Sequence, residues 1–268
     1  MDGGDCAPRE VDTRTPNVAR MYDYFLGGKD NFAADRAAAE QIIALAPGVP
    51  AAARRNRAFL RRAVRFLVGV GIRQFVDIGA GLPTQRNVHE IAHLLAPAAR
   101  VVYVDNDPVV VCHGRALLAG SEKVNVVQGD LRRPDEIVAE PGLRAYIDFA
   151  EPVAIMLLAL LHFIPDSAGP AAILARLREA MAPGSYLVVS HGAVAPGAKA
   201  AANATEGKAV YERASAAVTP RSWEEIRAFF DGLELIEPGL VPVAQWRPDG
   251  PAVGVGDSLG YGGVARKP

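Results

Sequence analysis

The chain has 268 residues, 50% of them hydrophobic, and a formal net charge of -1 at pH 7. This length suits one α/β domain with additional helices, and the apolar fraction is sufficient for a full core. A net charge this close to zero gives no electrostatic sign of nucleic acid or an anionic membrane as partner. The N-terminus lacks a secretory h-region, and the apolar run Val153–Ile164 is too short to span a membrane, so a cytoplasmic protein is expected.

The first 70 residues indicate helices rather than a sheet. Residues 1–15 are rich in Gly, Asp and Pro without periodicity, and they predict a disordered tail. Residues 16–70 predict a helical cap with a glycine-rich loop at Gly27 and Gly28. The arginine-rich segment 54–65 is interpreted as a solvated helix face. Within the cap, helices are predicted over residues 16–23, 33–46 and 51–68.

Residues 71–268 change to an alternation of short apolar runs and helical periodicity. This alternation predicts a parallel sheet covered by helices on both faces. Residues 192–208 are interpreted as a loose Ala- and Gly-rich stretch, and residues 233–243 and 259–265 as an antiparallel edge hairpin. The other predicted strands are residues 74–78, 100–104, 124–127, 153–158 and 186–190, and the predicted helices are residues 83–95, 108–119, 169–181 and 222–230.

A glycine turn and two acidic residues follow the first three predicted strands. Gly79–Gly81 ends the first strand, where glycines allow a sharp turn and close approach of a ligand at the carboxyl edge of the sheet. Asp105 ends the second strand and is suited to bind both hydroxyls of an adenosine ribose, at ~1.5–3 kcal/mol for each hydrogen bond. Asp130 follows the third strand and is suited to the adenine amino group, while Leu131 packs on the ring.

The residues after the glycine turn discriminate between adenosine cofactors. A dinucleotide fingerprint needs a third glycine where this chain has Thr84, and Pro83 removes an N–H donor. Both residues weigh against a pyrophosphate and favour S-adenosylmethionine or S-adenosylhomocysteine, with Asp77 facing the ammonium through water. A nicotinamide-dependent oxidoreductase is the weaker alternative. The predicted cofactor-binding residues are Asp77, Gly79, Ala80, Gly81, Leu82, Asp105, Asn106, Asp130 and Leu131.

Four segments of the chain carry a resemblance to a known family. Thr15–Phe32, with the sequence TPNVARMYDYFLGGKDNF, resembles the N-terminal signature of the actinobacterial S-adenosyl methyltransferases first catalogued as a domain of unknown function. Phe75–Thr84, Val102–Pro108 and Leu161–Asp166 also match the pattern of that family. The resemblance implies a seven-stranded Rossmann-like methyltransferase sheet with an N-terminal helical cap. The methyltransferase domain is then expected over residues 71–268.

The acceptor side has no obvious catalytic dyad, which is compatible with methyl transfer. A sulfonium methyl is already activated, so alignment can supply ~7–11 kcal/mol of the barrier, and a base is needed only where the acceptor loses a proton. His162 and Tyr22 are the candidate catalytic residues, and His191 is a weaker one. The competing interpretations are a histidine bonded to a backbone carbonyl for His162 and helix packing for Tyr22. The candidates for substrate contact or a lid are Tyr24, Lys29 and Asn31.

The expected function is therefore methylation of a small organic acceptor, with a non-catalytic cofactor-binding regulatory protein as the alternative. Nucleic acid is not favoured as acceptor, because the chain has neither a basic surplus nor an Asp/Asn-Pro-Pro-aromatic motif after the fourth strand. His89 and His93 match the His-Glu-x-x-His zinc pattern, but their helix is expected to pack on the sheet beneath the glycine turn. No metal and no membrane partner are expected, and the oligomeric state is left open.

Overall fold

A computed structural model describes residues 12–82, 87–118, 120–193, 198–250 and 259–268. The predicted tail lies outside the described residues as far as residue 11. The same holds for Pro83, the predicted start of the fourth helix, and for Thr84, on which the choice between adenosine cofactors depended.

Between residue 12 and the sheet lie three helices, as predicted: α1 (Val18–Phe25), α2 (Ala33–Leu45) and α3 (Val49–Gly69). The side chain of Asn17 caps α1 by accepting hydrogen bonds from the N–H groups of Ala19 and Arg20. A proline in its first turn starts α3, and Gly71, with a φ of +97°, follows its end.

Within the described residues, the sheet has eight strands in the order β3-β2-β1-β4-β5-β8-β6, with β7 also paired to β8. β1 to β5 are parallel and β8 is antiparallel to β5. The strand order reverses between β1 and β4, so a crevice opens at the carboxyl ends of these two strands. The strands are β1 (Gln74–Ile78), β2 (Arg100–Asp105), β3 (Val124–Gln128), β4 (Ala154–Leu158), β5 (Tyr186–Gly192), β6 (Glu234–Leu235), β7 (Val241–Pro242) and β8 (Gly260–Arg266).

The expectation of seven strands is wrong because the predicted strand 233–243 is two strands. β6 and β7 both pair with β8, but Pro238 and Gly239 separate them. Proline has no N–H to donate to a ladder, and Gly239 turns the chain with a φ of +87° and donates its N–H to Ile236 O at 2.9 Å. The edge of the sheet is therefore formed by two short segments.

A second correction concerns residues 192–208, which the sequence analysis treated as loose. Helix α9 (Ala198–Glu212) occupies most of this stretch. Alanine has the highest helix propensity but gives little hydrophobic contrast, so periodicity did not reveal the helix. The remaining helices are α4 (Val88–Leu95), α5 (Pro108–Leu117), α6 (Pro134–Ala139), α7 (Pro141–Arg144), α8 (Pro170–Ala180) and α10 (Trp223–Ala228).

Apolar side chains form a layer on each face of the sheet, and a third cluster lies apart from it. Neighbouring residues of one strand face opposite layers, as Phe75 and Val76 do. The third cluster holds α1, α2 and α9 together through Met21, Ile42 and Val210. These helices therefore form a wall of their own, which faces the carboxyl ends of the strands.

Candidate functional site

A cavity of about 1100 Å³ lies between the carboxyl ends of the strands and the helices α1, α2, α3 and α9. Its strand-end side consists of residues 77–82, 105–107 and 129–132, which follow β1, β2 and β3. Its helical side consists of residues of α1, α2, α3 and α9. The β4 loop (residues 159–165) and residues 190–193 lie between these two sides, and residues 46–48, 215–220 and 259–260 also contribute to the lining.

The glycine turn joins the ends of β1 and β2. The N–H of Gly79 donates to Val104 O at 2.8 Å, and the N–H of Gly81 donates to Asp105 Oδ2 at 2.9 Å. Gly79 and Gly81 have φ angles of +73° and +65°, which favour glycine. A Cβ at Gly79 would lie 2.6 Å from Leu160 Cδ1. The positive φ therefore favours glycine at position 79, and a larger residue would also have to displace the Leu160 side chain.

The Asp105 carboxylate is buried and held by the backbone. Besides the bond from Gly81, its Oδ1 accepts the N–H of Asp107 at 2.9 Å. Burial raises the pKa of Asp105, while these backbone hydrogen bonds oppose the rise. Each carboxylate oxygen has a further lone pair for a ligand hydroxyl. The geometry thus suits the ribose contact expected for this residue.

Asp77 lies beside the same turn and faces a cation that the sequence analysis missed. Burial raises the pKa of Asp77 to about 7, and Arg57 on α3 acts in the opposite direction. Arg57 lines the cavity and donates to Asn87 Oδ1 at 3.2 Å. The sequence does carry a signal for this position. Arg57 lies at helical spacing between Ala53 and Leu60, on the buried face of α3, which indicates that it does not point to solvent.

The remaining predicted cofactor residues also line the cavity. Leu131 is buried at the end of β3, whereas Asn106 is exposed. Arg132 forms an ion pair with Asp130, its Nε lying 2.9 Å from each carboxylate oxygen and its Nη2 2.5 Å from Oδ2. This pairing lowers the pKa of Asp130 and was not predicted. Ala80 and Leu82 complete the set at the glycine turn.

Tyr22 lines the cavity with its hydroxyl already engaged. The hydroxyl donates to Ala53 O at 3.3 Å and accepts from Asn56 Nδ2 at 3.0 Å. Asn56 Oδ1 in turn accepts from Ser190 Oγ at 2.7 Å, which ties α1 and α3 to the end of β5. Burial raises the pKa of Tyr22, so its phenol stays protonated at neutral pH.

His162 lines the cavity from the β4 loop. Its Nδ1 accepts the N–H of Gly192 at 3.2 Å, rather than donating to the backbone carbonyl of the competing interpretation. Burial lowers the pKa of His162 well below its usual range, and nearby His191 and Arg221 lower it further. The imidazole is therefore neutral and carries its proton on Nε2.

His191 and Arg221 form a buried hydrogen-bond network next to His162. The sequence analysis did not identify the role of Arg221. Arg221 donates to Leu161 O and Ile164 O at 2.7 Å each, and it pairs with Asp166 at 2.6 Å. His191 Nδ1 contacts Gly192 O at 2.6 Å, and its Nε2 accepts from Arg221 Nη1 at 3.3 Å. Burial lowers the pKa of His191 to about 4. This network holds the β4 loop against β5.

The residues predicted as substrate contacts or lid do not line the cavity. The Tyr24 hydroxyl bonds to Glu40 on the outer surface, and Lys29 is exposed. Asn31 is buried and donates to Asp23 Oδ2 at 2.9 Å and to Gly28 O at 3.1 Å. These contacts give Asn31 a role in holding the glycine loop rather than a substrate.

Other polar residues of the N-terminal signature hold the helical side in place. Arg20 and Asp35 form a buried ion pair, with Arg20 Nε 2.7 Å from Asp35 Oδ2. Asn17 Nδ2 donates to Asp107 Oδ2 at 2.7 Å, which attaches the start of α1 to the loop after β2. A Cβ at Gly28 would lie 1.9 Å from Asp23 Oδ1. Much of this signature therefore builds the wall of the cavity.

The two histidines of the zinc-like pattern have separate partners. His89 Nδ1 lies 2.7 Å from the Tyr103 hydroxyl, and His93 Nε2 lies 2.9 Å from Ala99 O. In the part of the chain that the structure describes, no group of three or more His, Cys, Asp or Glu residues could hold a metal ion. Nor is any helix within that part long and apolar enough to cross a membrane.

Comparison with known proteins establishes the family. A sequence profile described as S-adenosyl methyltransferase matches residues 5–268. The chain belongs to this family. The protein is accordingly an S-adenosylmethionine-dependent methyltransferase, which confirms the cofactor and the enzyme class predicted from the strand ends. The non-catalytic alternative is not favoured.

Two solved structures resemble this methyltransferase over nearly their whole length. A candidate methyltransferase from Thermobifida fusca YX is 42% identical, with a TM-score of 0.89 and coverage of 97% of this chain and 98% of the other. A DUF574 family protein from Streptomyces avermitilis MA-4680 is 40% identical, with a TM-score of 0.90 and coverage of 97% and 100%. These likenesses confirm the resemblance to the actinobacterial family and the Rossmann-like fold class.

A more distant likeness concerns the fold alone. The mitomycin 7-O-methyltransferase is 18% identical, with a TM-score of 0.51 and coverage of 79% of this chain and 54% of the other. A search of curated proteins found no match.

Proposed function

We propose that this methyltransferase binds S-adenosylmethionine across the ends of β1, β2 and β3 and methylates a small organic molecule on the helical side of the cavity. The observation that carries the proposal is one continuous cavity, lined by the Gly79–Gly81 turn and Asp105 on one side and by apolar helices on the other. Its volume of about 1100 Å³ slightly exceeds the ~300–1,000 Å³ range of pockets for one drug-sized ligand. A second small molecule beside the cofactor is consistent with that volume.

The residues on the strand-end side fit the chemistry of an adenosyl amino acid. Asp105, oriented by two backbone N–H groups, would hold the ribose hydroxyls. Asp77 would face the ammonium, and Arg57 would face the carboxylate of the amino-acid part. Leu131 would pack on the adenine ring. When bound, the cofactor supplies a methyl group already activated on a sulfonium.

The helical side would hold the acceptor and exclude water. In this proposal the cap of residues 16–70, together with α9, covers the acceptor, and the rest of residues 71–268 carries the cofactor residues. Apolar side chains dominate this part of the lining, which suits an organic molecule with a substantial apolar surface. The engaged hydroxyl of Tyr22 supports a role in joining α1 to α3 rather than in proton transfer.

Transfer of a labelled methyl group tests the proposal. The protein, labelled S-adenosylmethionine and an actinobacterial cell extract are incubated together, and the products are separated into small molecules, nucleic acid and protein. We expect label in the small-molecule fraction, and at least tenfold less transfer by Asp105→Asn when the cofactor is below saturation. Lys123→Gln changes an exposed residue just before β3 that does not line the cavity, and this variant should transfer as the wild type does. Label only in nucleic acid or protein contradicts the proposed acceptor class.

A further inference from the structure

We propose that the methyl acceptor is an anionic molecule, a carboxylate or a phenolate, and that His162 positions its oxygen by donating a hydrogen bond from Nε2. This inference rests on the proposed function and deepens it by naming the chemical class of the acceptor. His162 is then a positioning residue and not a general base.

The first support is the fixed orientation of the His162 ring. Nδ1 accepts the backbone N–H of Gly192 at 3.2 Å, so the ring proton is on Nε2. Moving that proton to Nδ1 would set two N–H groups against each other. Gly192 cannot turn away easily, because its carbonyl contacts His191 Nδ1 and its chain is paired with Gly260 in the sheet. The imidazole is thus held as a donor toward the cavity that it lines.

The buried surroundings of the ring favour the same neutral form. Burial is the main factor that disfavours a charge on His162, and His191 and Arg221, the titratable groups that act on it, work in the same direction. Arg221 is fixed by its bonds to the β4 loop and by its contact with Phe229, whose ring centroid is 5.3 Å away. The fixed position of Arg221 near His162 therefore disfavours an imidazolium at neutral pH.

Two more donors line the cavity on α9. Phe163 lies between His162 and Tyr211, with ring centroids 4.4 Å and 5.7 Å away. The Tyr211 hydroxyl has no hydrogen-bond partner, and Lys208 has no ion-pair partner, among the residues that the structure describes. Lys208 precedes Tyr211 by three residues, so both can share one helix face. This arrangement of donors and one cation complements an anion.

The carboxylates that line the cavity are committed elsewhere. Asp23 Oδ2 accepts from Asp30 N and Asn31, and Asp107 accepts from Asn17 and Val109. Asp130 pairs with Arg132, and Asp105 and Asp77 lie at the glycine turn. On the helical side of the described lining, the one carboxylate, Asp23, is therefore already engaged by two donors. His191 offers no free ring nitrogen either, because its Nδ1 contacts Gly192 O and its Nε2 accepts from Arg221.

An acceptor that enters as an anion needs no such base. Its oxygen lone pair forms the new O–CH₃ bond, while the S–CH₃ bond breaks and leaves its electron pair on sulfur. The sulfonium charge and the oxyanion charge disappear together, and no proton is released. The donors from His162 and Tyr211 keep the oxygen in line without removing anything from it.

The tautomer is tested without knowledge of the acceptor. Long-range ¹H–¹⁵N NMR of uniformly ¹⁵N-labelled protein at pH 7 distinguishes the protonation of the two ring nitrogens, and the His162→Gln spectrum assigns the signals. We expect a neutral ring with the proton on Nε2. A proton on Nδ1, or an imidazolium, overturns the proposal.

Binding of matched probes tests the acceptor class. Protein saturated with S-adenosylhomocysteine is titrated with 2-naphthoate and with the uncharged 2-naphthalenemethanol. We expect the carboxylate to bind at least tenfold more tightly. This preference should be reduced in His162→Phe and Lys208→Gln, and retained in His162→Gln, which keeps an N–H donor, and in Lys123→Gln. Equal affinity for the two probes, or binding of neither, overturns the proposal. If the protein does not bind S-adenosylhomocysteine in the step that is meant to saturate it, the proposed function itself is contradicted.

Discussion

The two sides of the cavity are built from different parts of the chain. On the strand-end side the backbone sets the geometry, because the turn at Gly79–Gly81 and the carboxylate of Asp105 are held by main-chain N–H groups. On the helical side, buried side-chain pairs such as Arg20 with Asp35 and Asn56 with Tyr22 set it. The first arrangement follows from strand register and the second from a few polar contacts. Substitutions should therefore change ligand affinity on the strand-end side and stability on the helical side.

The largest loss of stability is expected from Asp35→Asn on the helical side. The substitution leaves the buried guanidinium of Arg20 without its counter-ion, and breaking such a pair costs about 3–5 kcal/mol. Urea unfolding measures the change. The matched control is Asp231→Asn, which breaks an exposed pair with Arg227 and should cost less than about 1 kcal/mol. Similar losses in the two variants would mean that the helical wall does not depend on its buried ion pair.

The largest loss of affinity is expected from Asp105→Asn on the strand-end side. Two hydrogen bonds to a charged acceptor are weakened, which together amount to about 3 kcal/mol or a hundredfold change in affinity. Titration with S-adenosylhomocysteine measures the change. Asp130→Asn is the control and should lose less than about tenfold, because Arg132 already engages both of its carboxylate oxygens. If Asp130→Asn proves the more damaging variant, the division of roles between these carboxylates is reversed.

The same contrast explains which parts of the molecule could be predicted from the sequence. The bounds predicted for β1 coincide with the observed strand, and the bounds of β2 and β3 differ by one residue at the end. Apolar runs and glycines are local signals, so the turn and Asp105 could be located at the strand ends. The parallel sheet then brought them together, because parallel strands end at the same edge.

The helical side could not be predicted to the same depth because its contacts join distant parts of the chain. Arg221 is buried by carbonyls of the β4 loop, and nothing near it in the sequence indicates that partner. Asn56 on α3 likewise contacts Ser190 on β5, which is 134 residues away in the sequence. Helix α9 was missed because alanine propensity, rather than periodicity, determines it.

A smaller effect on affinity is expected from pH. Burial raises the pKa of Asp77 to about 7, so between about pH 4 and pH 7 the folded protein retains a proton that the unfolded chain has lost. The contribution of Asp77 to stability therefore falls as the pH rises through this window. The ammonium of the ligand favours the ionised carboxylate, so affinity for S-adenosylhomocysteine should rise about tenfold from pH 6 to pH 7.5. Calorimetry in buffers of different ionisation enthalpy should detect the released proton.

Asp77→Asn provides the control for this pH dependence. It removes the titrating group while keeping the size of the side chain, so the rise in affinity with pH should disappear. If the affinity of this variant rises with pH as that of the wild type does, the released proton comes from another group.

The smallest effect is expected at Asn17, where the two sides meet. Its Oδ1 caps α1, and its Nδ2 donates to Asp107 beside the strand-end carboxylate. Asn17→Ala removes both contacts and should cost about 1 kcal/mol of stability. Asn17→Ser keeps a capping oxygen but cannot donate to Asp107 over the same distance, so its stability should stay near that of the wild type. If the contact with Asp107 couples the two sides, both variants lose a similar, small amount of affinity for S-adenosylhomocysteine. If only Asn17→Ala loses affinity, the helical side acts through the cap of α1 alone.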